Sequence, residues 1–117
     1  MTEDKRKLKK EIENIVIKGK KYRAPEFSAH QLADELGMSA SQLSREMKII
    51  YGKSYSDIIL SLRIKEAQRH ILNPKKQSYT MEEIGIMVGF MNKWSFYQAF
   101  RKYTGTTPNE WKKEQNN

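Results

Sequence analysis

Apolar residues recur along this chain at helical spacing, in short bursts divided by glycine, proline or a polar cap. From about Glu3 to Lys18, Leu8, Ile12, Ile15 and Val16 fall at i, i+4, i+7 and i+8, the stripe of an amphipathic helix that Gly19 ends. Lys20 to Phe27, with Pro25, reads as a connector. Ser28-Ala-His-Gln31 is a capping-box pattern: the serine oxygen can accept from a free N–H of the first turn while the glutamine reaches back. It predicts a helix with Leu32, Ala33 and Leu36 inward, stopped at Gly37. Ser39-Ala-Ser-Gln42 repeats the signal soon after, opening a helix with Leu43, Met47 and Ile50 on its inner face. After Gly52 a longer helix runs from about Tyr55 to Leu72, with Ile58, Ile59, Leu62, Ile71 and Leu72 apolar, and ends at Asn73-Pro74 because proline cannot donate into the next turn. Lys75 to Tyr79 is a polar loop, and Thr80-Met-Glu-Glu83 is a further capping box, opening a short helix that stops at Gly89. Another helix starts at about Asn92 with Phe96, Phe100 and Tyr103 on one face, followed by a Gly105-to-Pro108 turn into a last helix. The pattern predicts an all-α fold of about seven helices.

Two of these stretches match each other. Leu32, Ala33, Leu36 and Gly37 correspond to Ile84, Gly85, Val88 and Gly89; Ser39, Leu43, Met47, Gly52, Ser54 and Ile58 correspond to Asn92, Phe96, Phe100, Gly105, Thr107 and Trp111, with one extra residue in the second turn. Short helices divided by so tight a turn must pack at a steep angle, so each stretch is a helix-turn-helix. Ala33 and Gly85 are small where the two helices of each motif approach closely. The expected organisation is an N-terminal helix plus first motif over 1–53, a linker helix over 54–73 and a second motif over 74–117. A linker of roughly 27 Å, at about 1.5 Å per residue, can place the two second helices roughly 34 Å apart, one turn of B-DNA.

Composition narrows the class of partner. The net charge of +8 favours a polyanionic partner such as nucleic acid or an anionic membrane surface. Lys5, Arg6, Lys7, Lys9, Lys10, Lys18, Lys20, Lys21 and Arg23 crowd the first quarter, where a charge run on a helix is read first as a solvated face. No apolar run approaches membrane-spanning length and no cysteine is present, so neither membrane contact nor disulfides are expected, and the cytoplasm is the expected setting. His30 and His70 stand without a spaced nucleophile or acid, and there is no phosphate-cradling glycine loop or metal-ligand cluster. No catalytic residue, cofactor or metal is expected, and the chain does not read as an enzyme.

The segments L-A-D-E-L-G-M-S-A-S-Q-L-S-R-E-M, L-R-I-K-E-A-Q-R-H-I-L and I-G-I-M-V-G-F-M-N-K-W-S-F-Y-Q-A-F-R-K-Y-T-G-T-T-P-N-E-W resemble the DNA-binding domain of AraC/XylS-type bacterial transcription regulators, from Phe27 to about Lys113. The resemblance implies two helix-turn-helix subdomains, a linker helix and sequence-specific binding to double-stranded promoter DNA. It admits RNA polymerase as a further partner, and an effector or sensor region outside this chain, which would then be the C-terminal part of a larger regulator. A helical RNA-binding or interaction module is the alternative.

The helical period identifies which side chains would face DNA. Opposite Leu43, Met47 and Ile50 lie Ser41, Ser44, Arg45 and Lys48; opposite Phe96, Phe100 and Tyr103 lie Lys93, Trp94, Tyr97, Gln98 and Arg101. The resemblance implies base contacts from Ser41, Ser44, Arg45, Lys93, Trp94, Tyr97 and Gln98. Arg45 suits guanine O6 and N7, and Gln98 suits adenine N6 and N7, each pairing worth about 1–3 kcal/mol of discrimination. Trp94 and Tyr97 can cover thymine methyls or sugars, while Lys48, Lys93 and Arg101 suit phosphate by their chemistry. Trp111 reads as a core plug, and Arg63 as either an internal ion-pair partner or a phosphate contact. Glu46 and Met47 depart from the family pattern, where an apolar or neutral residue and a phenylalanine are usual, so the first motif is expected to be less tightly packed; Lys112 stands where arginine is common.

Overall fold

The computed structural model describes residues 1–116, which fall into two compact units, Met1–Ile59 and Leu60 onward. All regular structure among the described residues is helical.

In the first unit, α1 (Glu3–Glu13) starts under a Thr2 cap whose Oγ1 accepts from Lys5 N at 3.2 Å, with Glu3 and Asp4 placed favourably at the positive end of the helix dipole. The single α-helix expected as far as Lys18 instead widens into a π-helical turn over Asn14–Lys18, closed by Gly19 N–H on Asn14 O at 2.9 Å. Only glycine fits where the helix ends: a Cβ at Gly19 would sit 2.6 Å from the Ile15 carbonyl oxygen. The left-handed backbone passes to Lys20, with φ of 55°. A 3₁₀ turn (Lys21–Arg23) leads to α2 (Ala29–Leu36), where the Ser28/Gln31 box is complete. α3 (Ala40–Tyr51) forms only half of its predicted box. Ser39 Oγ accepts from Gln42 N at 3.1 Å, and the Gln42 side chain lies exposed.

Ile12, Val16, Tyr22, Phe27, Leu32, Ala33, Leu43 and Met47 are buried in this unit, each large side chain contributing about 1.5–3 kcal/mol. Met47, standing where the family usually has phenylalanine, is fully buried. Polar ties supplement the core: Lys5 Nζ pairs with Glu46 Oε2 at 2.5 Å, Tyr51 OH donates to Glu13 Oε2 at 3.0 Å, and Tyr55 OH to Phe27 O at 2.7 Å. Burial, with the adjacent Glu13 hydrogen bond and charge, raises the Tyr51 hydroxyl above its ordinary pKa and keeps it protonated as a donor. Lys5 is therefore not on a wholly solvated face, and Glu46 holds α1 to α3.

α4 (Tyr55–Leu72) contains the division between the units. Its second part lies under α5 (Met81–Val88), α6 (Lys93–Thr104) and α7 (Pro108–Gln115). Ile64, Ala67, Ile71, Ile84, Val88, Phe90, Phe96, Ala99 and Phe100 form one buried cluster. Its rings meet at angles: Phe96 lies 5.3 Å from Phe90, and Phe100 lies edge-on to Phe96 at 5.7 Å and to Trp111 at 5.8 Å. Trp111 covers the cluster half-buried. Arg63 is buried with its guanidinium 5.7 Å from the Phe90 ring centre, which gives it an internal place. Past Leu72, Gln77 Nε2 donates to Ile71 O and Asn73 O and so satisfies carbonyls left open at the end of α4. The boxes Thr80/Glu83 and Thr107/Glu110 both form. Among the described residues no helix is long and apolar enough to cross a membrane.

Candidate nucleic-acid interface

The two predicted motifs close in the same way. α2 and α5 are each 8 residues long and α3 and α6 each 12. In the first turn Met38 N–H bonds to Ala33 O at 3.0 Å; in the second Phe90 N–H bonds to Gly85 O at 2.9 Å, the same long closing bond at matched positions. Gly37 has φ of 70° and Gly89 of 120°, backbone that a side chain would strain. Gly85 is required for a second reason: a Cβ there would fall 2.7 Å from the Phe96 side chain, so α5 and α6 approach only because it is glycine. Caps then fix where each second helix begins, Ser39 for α3 and Asn92, whose Oδ1 accepts from Ser95 N at 2.8 Å, for α6.

On α3 the side chains of Ser41, Ser44, Arg45 and Lys48 are all exposed, and on α6 so are Lys93, Trp94, Gln98 and Arg101. Trp94 is 71% exposed, unusual for a residue that buries so much area when packed. Tyr97 differs from the expectation. It lies one residue, about 100°, round the helix from Phe96, so it occupies the flank and is half-buried. Its ring meets Phe96 edge-on at 5.9 Å, the Lys93 ammonium sits 5.3 Å from its centre, and its hydroxyl oxygen accepts from Asn109 Nδ2 at 3.0 Å.

Three side chains near these positions escaped the sequence reading. Ile49 on α3 is 64% exposed and Met91 in the second turn is 77% exposed. Ile49 had a signal, since it falls off the Leu43, Met47 and Ile50 stripe. Asn109 had none, because its bond to Tyr97 joins α7 to α6. Electrostatically, the backbone N–H of Thr80 and then its hydroxyl hold the Glu83 carboxyl below its ordinary pKa. The Thr107 hydroxyl and then its backbone N–H do the same for Glu110. His70 Nε2 lies 3.2 Å from buried Glu66 Oε2, a contact within α4. Among the described residues no group of three or more histidine or acidic side chains could hold a metal ion.

The sequence profile described as a helix-turn-helix domain matches residues 32–114, both motifs together. The chain belongs to this helix-turn-helix family, of the AraC type. The AraC-type domain is 34% identical over 89 residues to the Msm operon regulatory protein of Streptococcus mutans, a match spanning 75% of this chain and 31% of that protein. The chain thus spans about a third of that relative's length. Among solved structures, it resembles the C-terminal domain of the two-component response regulator yesN from Fusobacterium nucleatum with TM-score 0.82 and 27% identity, over 91% of this chain and 98% of that one. The DNA-binding domain of AdpA, solved in complex with a target DNA, superposes with TM-score 0.79 at 19% identity, over 90% of this chain and 89% of that one, a likeness of fold.

Proposed function

We propose that this domain is the DNA-reading part of a transcription regulator, binding double-stranded promoter DNA sequence-specifically in the cytoplasm, with α3 and α6 entering successive major grooves. The observation that carries this reading is the duplication of one capped turn, each copy offering an outward polar face beside a buried apolar one. Arg45 reads guanine, Gln98 reads adenine, Ser41 and Ser44 make short permissive contacts, and Lys93 and Trp94 extend the reach of α6. Lys48 and Arg101 meet phosphate, adding affinity and salt dependence without sequence information. RNA polymerase and an effector or sensor region are further partners in this reading, suited to a domain spanning 31% of its curated relative.

Two substitutions test the assignment of roles. Gln98→Ala should relax preference at one base pair, costing about 1–3 kcal/mol against the preferred base. Lys48→Ala should weaken all sequences alike and reduce the salt slope by about 1. The reverse pattern would sink the sorting, and equal competition by RNA or single strands would favour the RNA-module alternative.

A further inference from the structure

Tyr97 is held on three sides, and its one remaining freedom has a chemical meaning. The Phe96 edge and the Lys93 ammonium fix the ring. Asn109 Nδ2 occupies an acceptor position on the phenol oxygen at 3.0 Å. A phenol carries one proton, and with a donor already facing its oxygen that proton must turn to an acceptor elsewhere. Asn109 is itself fixed: Pro108 and the Thr107/Glu110 box set the first turn of α7, and Asn109 is its second residue.

We infer that Asn109 is a positioning residue for recognition by α6: by donating to Tyr97 it commits the Tyr97 hydroxyl to donate to an acceptor on DNA, a base-edge oxygen or nitrogen or a phosphate oxygen. Tyr97 then acts as a directed hydrogen-bond donor, in place of the methyl or sugar cover that its sequence suggested. The inference rests on the proposed DNA reading.

The test uses the full chain and a duplex selected from a randomised pool. Tyr97→Phe keeps the ring and removes the hydroxyl, and should weaken binding about fivefold, the loss of one hydrogen bond. Asn109→Ala should weaken it by no more than that, and should have no further effect in the Tyr97→Phe background. Asn109→Asp is the discriminating change, because it holds the ring but takes the hydroxyl proton for itself. Measured against the same change in the Tyr97→Phe background, which cancels repulsion between aspartate and phosphate, it should still cost about fivefold. Melting temperatures should stay within a few degrees of the parent's in every case, because Asn109 is exposed and Tyr97→Phe keeps the half-buried ring in place. A loss confined to one base pair assigns a base acceptor to Tyr97, and a uniform loss assigns phosphate; either supports the inference. Additive losses for Asn109→Ala and Tyr97→Phe, or recovery of parental affinity by Asn109→Asp after that correction, would overturn it while leaving DNA binding intact. If the parent chain selects no duplex, the functional reading fails and the inference falls with it.

Discussion

In the first motif α2 buries Leu32 and Ala33 and α3 buries Leu43 and Met47, and α3 is tied to α1 by the Lys5–Glu46 pair and the Tyr51–Glu13 hydrogen bond. In the second, α5 meets α6 across Gly85 and the rings of Phe90, Phe96 and Phe100, with Trp111 of α7 laid against them. The turn geometry is the same, but the helices of one copy bury only aliphatic side chains and are braced by charge, while the other adds three phenylalanine rings to its aliphatic ones. A helix-turn-helix therefore fixes the angle of its second helix by backbone closure and leaves the filling open. The filling decides how each copy responds to a lost atom, an added atom, salt or acid.

The largest separation between the copies should come from deleting a ring. Phe100→Ala removes a fully buried side chain that touches both Phe96 and Trp111, and should cost about 3–5 kcal/mol in urea unfolding, enough to detach the second copy's stability from the first. Adding one carbon comes next. Gly85→Ala places a Cβ 2.7 Å from Phe96 and should cost about 1–3 kcal/mol by overpacking, although alanine is the better helix former. The matched position of the first copy already carries alanine, so stabilisation by Gly85→Ala would show that the second copy is not limited by this close approach.

Charge effects are smaller. The Lys5–Glu46 side chains are each only partly buried, so Lys5→Met should cost under about 1 kcal/mol, with the loss shrinking as salt rises; a cost that ignores salt would make Lys5 a packing residue. Acid should distinguish the caps. The first copy closes its box with Gln31, which does not titrate, while α5 and α7 use Glu83 and Glu110, both held below the ordinary value of 4.5. A depressed carboxyl contributes stability that is complete above its unfolded value and disappears as pH falls through its folded one. Melting temperature should therefore drop on acidification below pH 4.5, and Glu83→Gln with Glu110→Gln should flatten that part of the curve.

The helices, caps and matched turns were legible because each rests on local chemistry: Ser28 with Gln31, Thr80 with Glu83, and the stripe of Phe96 and Phe100 all act within a turn or two. The exposure of Trp94 followed from the same period. What the sequence concealed depends on contacts between distant elements. Glu46 looked like a departure from a packing pattern until Lys5 stood opposite it, and Tyr97 looked outward until Asn109 and Phe96 fixed it on the flank. Gly19 was legible as a stop but not as the close of a π-helical turn, which its N–H makes on the carbonyl of Asn14, five residues back.

The claim on which the rest depends is that both copies read one double-stranded site. Selection from a randomised duplex pool, followed by footprinting of the winning sequence, tests it most directly. Two paired readers should enrich a single site with two specified segments about 10–10.5 base pairs apart, the first blurred by Arg45→Ala and the second by Gln98→Ala. Equal binding to every duplex, or one specified segment that responds to neither substitution, would contradict it.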